Sequence, residues 1–219
     1  MGKLKGLLLT EGLHGMISQV EGLAKALDLD YFHEKVELNS FWKLIPPKFT
    51  PVKKFVFKNK IKRDFDIIIS CGRKSVIPSI FLKKINSKKI KNIHVQDPKV
   101  NFKNFDYIIS PEHDDLKGDN ILSSKGAIHY LTSEEINEKK NYLLEKISKE
   151  KKIITLILGG PTKYYAYSNQ NLLNIFSKIS KQILNNNFQV IVIPSNRTPS
   201  RTIDLAKKFF TKEHLIIDK

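Results

Sequence analysis

The feature that most constrains this chain is an alternation: short apolar runs that read as strands, each followed by a stretch with helical spacing. Residues 5–10 (KGLLLT) read as a buried strand. Residues 15–27 follow as an amphipathic helix with Ile17, Val20, Leu23, Ala24 and Leu27 on one face. Tyr31 to Lys35 sit in the next strand. Further strands are read at 65–70 (FDIIIS), 90–96 and 105–110 (FDYIIS), with a helix over 75–84. Runs as continuously apolar as DIIIS suit strands covered on both faces, which is the environment of a parallel sheet. Residues 38–63, with Pro46, Pro47 and Pro51, read as a long irregular connection.

The alternation then restarts. A charged helix is expected over 133–149, opened by Ser133-Glu134-Glu135. A strand follows at 152–158 (KIITLIL), a helix at 169–184, a strand at 188–193, a helix at 198–210 and the opening of a strand at 215–217. The fold class expected is α/β, with two Rossmann-like, doubly wound parallel-sheet domains, the second incomplete. The expected division is an N-terminal domain over 1–132, a linking helix over 133–150, and a partial C-terminal domain over 151–219.

Composition narrows the class further. One cysteine, Cys71, excludes a disulfide framework and a cysteine-based zinc site. No apolar stretch approaches a membrane span, so the expected location is cytoplasmic. The net charge of +16 comes overwhelmingly from lysine, and only Arg63, Arg73, Arg197 and Arg201 offer the planar fork suited to phosphate. A nucleic-acid partner is not expected, because charge is its only support. Residues 48–63 (KFTPVKKFVFKNKIKR) carry seven basic side chains and no acidic one, with Phe49, Phe55 and Phe57 between them. That mixture suits the surface of an anionic membrane and gives an expectation of peripheral contact there.

In an open parallel sheet, ligands bind beyond the carboxyl ends of the strands. The first strand runs into Glu11-Gly12-Leu13-His14-Gly15 and directly into a helix, where backbone amides attract anions. The strand at 65–70 runs into Cys71-Gly72-Arg73-Lys74-Ser75, two cations and a capping serine, and reads as a phosphate site. Cys71 itself reads as a small buried residue. The next two strands end in Gln96-Asp97-Pro98 and Pro111-Glu112-His113-Asp114. The second of these groups an imidazole with two carboxylates, and His113 or Glu112 is the candidate base for a hydroxyl proton. The cluster lacks helical metal-ligand spacing, and no metal site is expected. In the second domain, Gly159-Gly160-Pro161-Thr162-Lys163 repeats the strand–glycine–helix order, and Tyr164, Tyr165 and Tyr167 could stack on a base or sugar. Ser195-Asn196-Arg197-Thr198-Pro199 follows the neighbouring strand, and the two turns are expected to converge on one anion.

These segments, TEGLHGMISQVEGLAKAL, IISCGRKSVIPS, HVQDP, FDYIISPEHD, LGGPTKYYAYS and SNRTP, occur in an order and spacing that resembles the mitochondrial-fission (elongated-mitochondria) family. Its bacterial members are described as glycosyltransferase-like and are sometimes named nucleoside-diphosphate-sugar epimerases. The resemblance implies a GT-B-like architecture, with an acceptor-side first domain and a donor-side second domain. It carries over to Gly12, Gly15 and Gln19; to Gly72 and Arg73; to Gln96, Asp97 and Pro98; and to Pro111, Glu112, His113 and Asp114. In the second domain it carries over to Gly159, Gly160 and Pro161, and to Ser195, Arg197, Thr198 and Pro199. Asn196 stands where the family often has arginine. The family's later NPY segment and acidic, serine-containing motif are missing, so a C-terminally truncated form is expected.

The implied activity is sugar transfer from a nucleotide-sugar donor to a hydroxyl acceptor, with no metal and no cofactor beyond the donor as substrate. The alternative is a non-catalytic adaptor at a membrane surface, as with the plant members that act as recruitment factors in mitochondrial division. The epimerase name finds little support. Its Tyr-x-x-x-Lys spacing occurs at Tyr31 and Lys35, but in a strand rather than on a catalytic helix.

Overall fold

The structure is a computed structural model. It describes residues 2–61, 63–86, 89–162, 165–166, 168–210 and 214–217, without the side chains of Leu184 and Asn185. It divides into two compact units, Met1–Thr132 and Ser133–Lys219.

Unit 1 is a six-stranded, all-parallel sheet. Its strands are β1 (Lys5–Thr10), β2 (Asp30–Lys35), β3 (Ile67–Cys71), β4 (Lys91–Val95), β5 (Tyr107–Pro111) and β6 (Ile121–Ser124). They lie in the order β2-β1-β3-β4-β5-β6. Two helices pack on it, α1 (His14–Ala26) and α2 (Val76–Ile85). The order reverses direction between β1 and β3, and the crevice at such a reversal is where open α/β sheets take ligands.

The continuous apolar runs have a direct physical reading. Alternate residues of one strand face opposite sides of a sheet, and here both sides are covered. Leu8, Ile69, Cys71 and Val95 pack with Val20 and Ala24 of α1. Leu7, Leu9, Ile68 and Ile108 pack on the other side with Val76, Ile77 and Ile80 of α2 and with Leu38, Val56 and Phe57. Each such full burial stabilises by about 1.5–3 kcal/mol. The long connection between β2 and β3 is thus part of the core rather than a loose linker. It consists of three short 3-10 turns at Phe41–Lys43, Pro47–Phe49 and Lys54–Val56. A bridge from Leu38 to Phe57 pins it down.

A polar pair is buried inside this unit. His94 on β4 is enclosed, with its Nδ1 2.8 Å from Ser70 Oγ and its ring 5.2 Å from that of Phe105. Burial pushes its pKa down to about 3, so the ring is neutral.

Unit 2 is smaller: β7 (Lys152–Leu158), β8 (Phe188–Pro194) and β9 (Leu215–Ile216), parallel and in that order. Helices α4 (Asn169–Asn186) and α5 (Ser200–Phe209) cover one face around Phe176, Val190, Val192 and Phe210. On β7 the alternate residues stay open, and Ile157 is 74% exposed. The preceding helix, α3 (Ser133–Leu144), has no buried residue and stops before the expected residue 149. Its end tightens, with Lys146 and Ile147 both donating to the Leu143 carbonyl. The Ser148 amide then donates to Gln189 Oε1 at 2.8 Å, which turns the chain toward β7.

Candidate functional site

The turn after β1 owes its shape to Gly12, whose φ of +84° lies in the left-handed region that favours glycine. The Gly12 amide donates to Thr10 Oγ1 (3.0 Å), and that hydroxyl also meets His33 Nε2 at 2.7 Å. Gly15 lies in the first turn of α1 with open space where a side chain would be, so no close approach demands a glycine there.

In the turn after β3, the residues expected at a phosphate site make contacts within the protein. Glu11 reaches across from the β1 turn and accepts the Lys74 amide at 3.0 Å. Its other oxygen pairs with Lys74 Nζ at 2.7 Å. Arg73 donates from Nη2 to the Lys43 carbonyl at 2.6 Å. Ser75 does not cap α2; its hydroxyl donates back to the Gly72 carbonyl at 2.7 Å. Both cations and the amide of this turn are therefore engaged within the protein. Gly72 has φ +93°, and an added Cβ would lie 2.6 Å from Met16 Sδ. Burial, and secondarily Glu11, push the Cys71 thiol up to about 12, which keeps it protonated and unreactive.

The carboxyl ends of β4 and β5 do form a cavity, of about 460 Å³. It is lined by Gln19, Gln96, Asp97, Lys99, Pro111, His113, Asp114 and Ala127. Gln96 carries a φ of +83°, uncommon for a side-chain-bearing residue. Its amide donates to the Ile109 carbonyl at 2.8 Å, and its side chain meets that of Gln19 at 3.4 Å. Asp97 accepts the Lys99 amide and ammonium. Asp114 accepts from Ser110 Oγ at 3.0 Å, while its second oxygen lies 3.6 Å from His113 Nε2. A carboxylate held by Ser110 lies beside this exposed imidazole and can orient the ring. Of the two candidate bases, His113 faces this cavity, whereas Glu112 is exposed and does not line it.

In unit 2 the two turns meet. A Cβ on Gly160 would fall 2.0 Å from the Arg197 carbonyl oxygen, so only glycine fits against that backbone. Thr198 Oγ1 and the Ser195 amide both donate to the Leu158 carbonyl, at 2.6 and 3.0 Å. Ser195 Oγ also accepts the Arg197 amide. The hydroxyls of Ser195 and Thr198 thus hold the turn together, and Arg197 stands exposed beside Gly160.

The helix expected from residue 169 is α4, capped by Ser168, whose Oγ accepts the Asn171 amide; before it, the Thr162 amide donates to the Tyr165 carbonyl at 2.7 Å. Pro161 and Thr162 are exposed, as is Tyr165. Lys163, Tyr164 and Tyr167 lie outside the described residues.

Sequence reading alone missed Lys99, Ser110 and Glu11 as participants. Ser110 had a signal, since it directly precedes the PEHD segment. Glu11 had none, since its partner lies 63 residues away. Among the described residues, no group of three or more His, Cys, Asp or Glu side chains gathers as metal ligands would, and no helix is long and apolar enough to cross a membrane.

The sequence description of the family named mitochondrial fission ELM1 matches residues 14–219, nearly the whole chain. No curated protein matches it. The chain belongs to the mitochondrial fission ELM1 family.

Proposed function

With that membership as premise, we propose that the protein transfers a sugar from a nucleotide-sugar donor to a hydroxyl of an acceptor bound in the unit 1 cavity. The observation that carries this reading is the Ser110–Asp114–His113 chain at the cavity wall. His113 takes the acceptor's proton as that oxygen bonds to the anomeric carbon. The bond from the same carbon to the diphosphate breaks, and its electron pair leaves on the diphosphate oxygen. Asp114 acts through His113 as a positioning residue. The side-chain amides of Gln19 and Gln96, with Asp97, supply donors and acceptors for a polyhydroxylated molecule. In unit 2, taken by itself, the exposed cation of Arg197 beside the Gly160 turn offers a binding contact to a diphosphate.

The test is a panel of nucleotide sugars monitored for binding and for loss of donor. His113→Ala should lower turnover by about a hundredfold or more with donor affinity unchanged. Arg197→Ala should instead weaken donor binding. No binding of any nucleotide sugar at millimolar concentration would overturn the reading.

A second reading, a non-catalytic adaptor at a membrane surface, is favoured by the family's description and by the exposed phenylalanines between β2 and β3. An adaptor would consume no donor, and His113→Ala would leave its role intact.

A further inference from the structure

The sequence places Phe49, Phe55 and Phe57 together in a basic stretch, but the fold separates them. Phe57 is buried, in the core beneath the sheet, and Val56 beside it is fully enclosed. Phe49 and Phe55 stay outside, at 71% and 57% exposure. Two residues from before the basic stretch join them: Phe41 at 64% and Leu44 at 80%. The Trp42 ring links Phe41 and Phe55, lying 4.9 Å from the first and 5.8 Å from the second.

This apolar surface rests on a fixed base. Asn39 donates its amide to the Val56 carbonyl and its side chain to the Phe55 carbonyl. Thr50 Oγ1 donates to the Pro46 carbonyl at 3.0 Å. Arg73 holds the Lys43 carbonyl from the start of α2, which ties the surface to the carboxyl edge of the sheet. Large apolar side chains held outward on a tied-down segment are not satisfied by the chain itself, and such patches mark interaction sites.

Charge identifies the occupant. From Leu38 to Arg63 there is no acidic residue. Lys43, Lys48, Lys53 and Lys58, interleaved along the chain with these apolar residues, are exposed. Lys54 differs: it donates to the Phe57 and Asn59 carbonyls and sits over the Phe57 ring, so it belongs to the base. Hydrated lysine ammoniums interleaved with protruding phenylalanine and leucine match a bilayer's anionic headgroups above its acyl boundary.

We infer that the surface formed by Phe41, Leu44, Phe49 and Phe55, with the lysines interleaved among them, seats the protein on an anionic lipid bilayer. The inference deepens the membrane part of the second reading, and it holds equally for an enzyme. An acceptor bound at the same edge would then be presented from the membrane.

The experiment is co-sedimentation of the full chain with vesicles of phosphatidylcholine alone or with added phosphatidylglycerol, at physiological salt. The Leu44→Ser/Phe49→Ser/Phe55→Ser variant keeps the net charge, so adhesion through charge alone would survive in it. All three side chains are exposed, and the variant's melting temperature should match the parent's. The expected result is binding that requires phosphatidylglycerol and weakens at least about tenfold in the variant. Variant binding equal to the parent's, or equal binding to phosphatidylcholine alone, overturns the inference. So does a parent that self-associates through these residues, or that binds single-stranded RNA through them, without binding vesicles. None of these outcomes alters the donor turnover that tests the sugar-transfer reading, so the two fail separately.

Discussion

Units 1 and 2 are written in the same local code, a run of apolar β-formers followed by an amphipathic helix, yet they bury it differently. In unit 1, Ile68 and Ile69 are adjacent, face opposite sides of the sheet, and are both fully enclosed. In unit 2, Leu158 is buried while its neighbour Ile157 is 74% exposed. The strand letters are equivalent; what differs is whether a second layer covers each face. A run such as IITLIL therefore reports a strand without reporting how many of its faces are covered, because that depends on elements distant in sequence.

The strongest way to break this comparison is a matched truncation. Ile69→Ala removes enclosed packing and should cost about 2–5 kcal/mol. Ile157→Ala should fall within about 0.5 kcal/mol of the parent. Urea unfolding of the full chain, followed by far-UV circular dichroism, measures both. Equal losses would mean that the β7 face is covered in solution.

A smaller effect should follow from the two close backbone contacts. A Cβ on Gly22 would lie 2.4 Å from the His129 carbonyl oxygen in unit 1, as one on Gly160 would lie 2.0 Å from that of Arg197 in unit 2. Alanine at either position should cost about 1–3 kcal/mol. Gly159→Ala meets nothing within 4 Å and serves as the control. Gly160→Ala should also weaken donor binding, which Gly22→Ala should leave alone.

The smallest expected effect is acid sensitivity within unit 1. The folded pKa of His94 lies near 3, below its ordinary 6.5, because burial disfavours the charged ring. The unfolded chain therefore binds the proton first as pH falls. The stabilising contribution is complete above about 6.5 and is lost progressively below it. His33 shifts in the same direction, again through burial, with Glu21 and Glu34 partly opposing. Lowering the pH from 7.5 to 5.5 should cost about 1 kcal/mol at His94 alone. Thermal melts of the parent across that range measure it, and a flat profile would contradict a neutral, enclosed His94.

Much of this organisation was legible in the residues. The strands at 65–70 and 105–110 announced themselves through aspartate-led isoleucine runs, whose continuous apolar character suits a parallel sheet covered on both faces. β6 was not legible, since Ile121–Ser124 is four residues long, half of them serine. The connection between β2 and β3 looked irregular because its prolines and lysines obscure Val56 and Phe57, which only the fold shows to be core. At the candidate site, the gathering of Gln96, Asp97, His113 and Asp114 follows from neighbouring parallel strands ending at one edge. The engagement of Arg73 and Lys74 within the protein could not be foreseen, because it depends on side chains and carbonyls from remote turns.

The Glu11 contact also sets the electrostatics of the crevice between β1 and β3. A carboxylate anchored in the chain already sits on the amide and ammonium of Lys74, at a local concentration that a dissolved phosphate does not approach. An anion approaching Lys74 competes with this resident carboxylate. The turn is thus a socket whose cation and amide already hold a carboxylate from the chain itself.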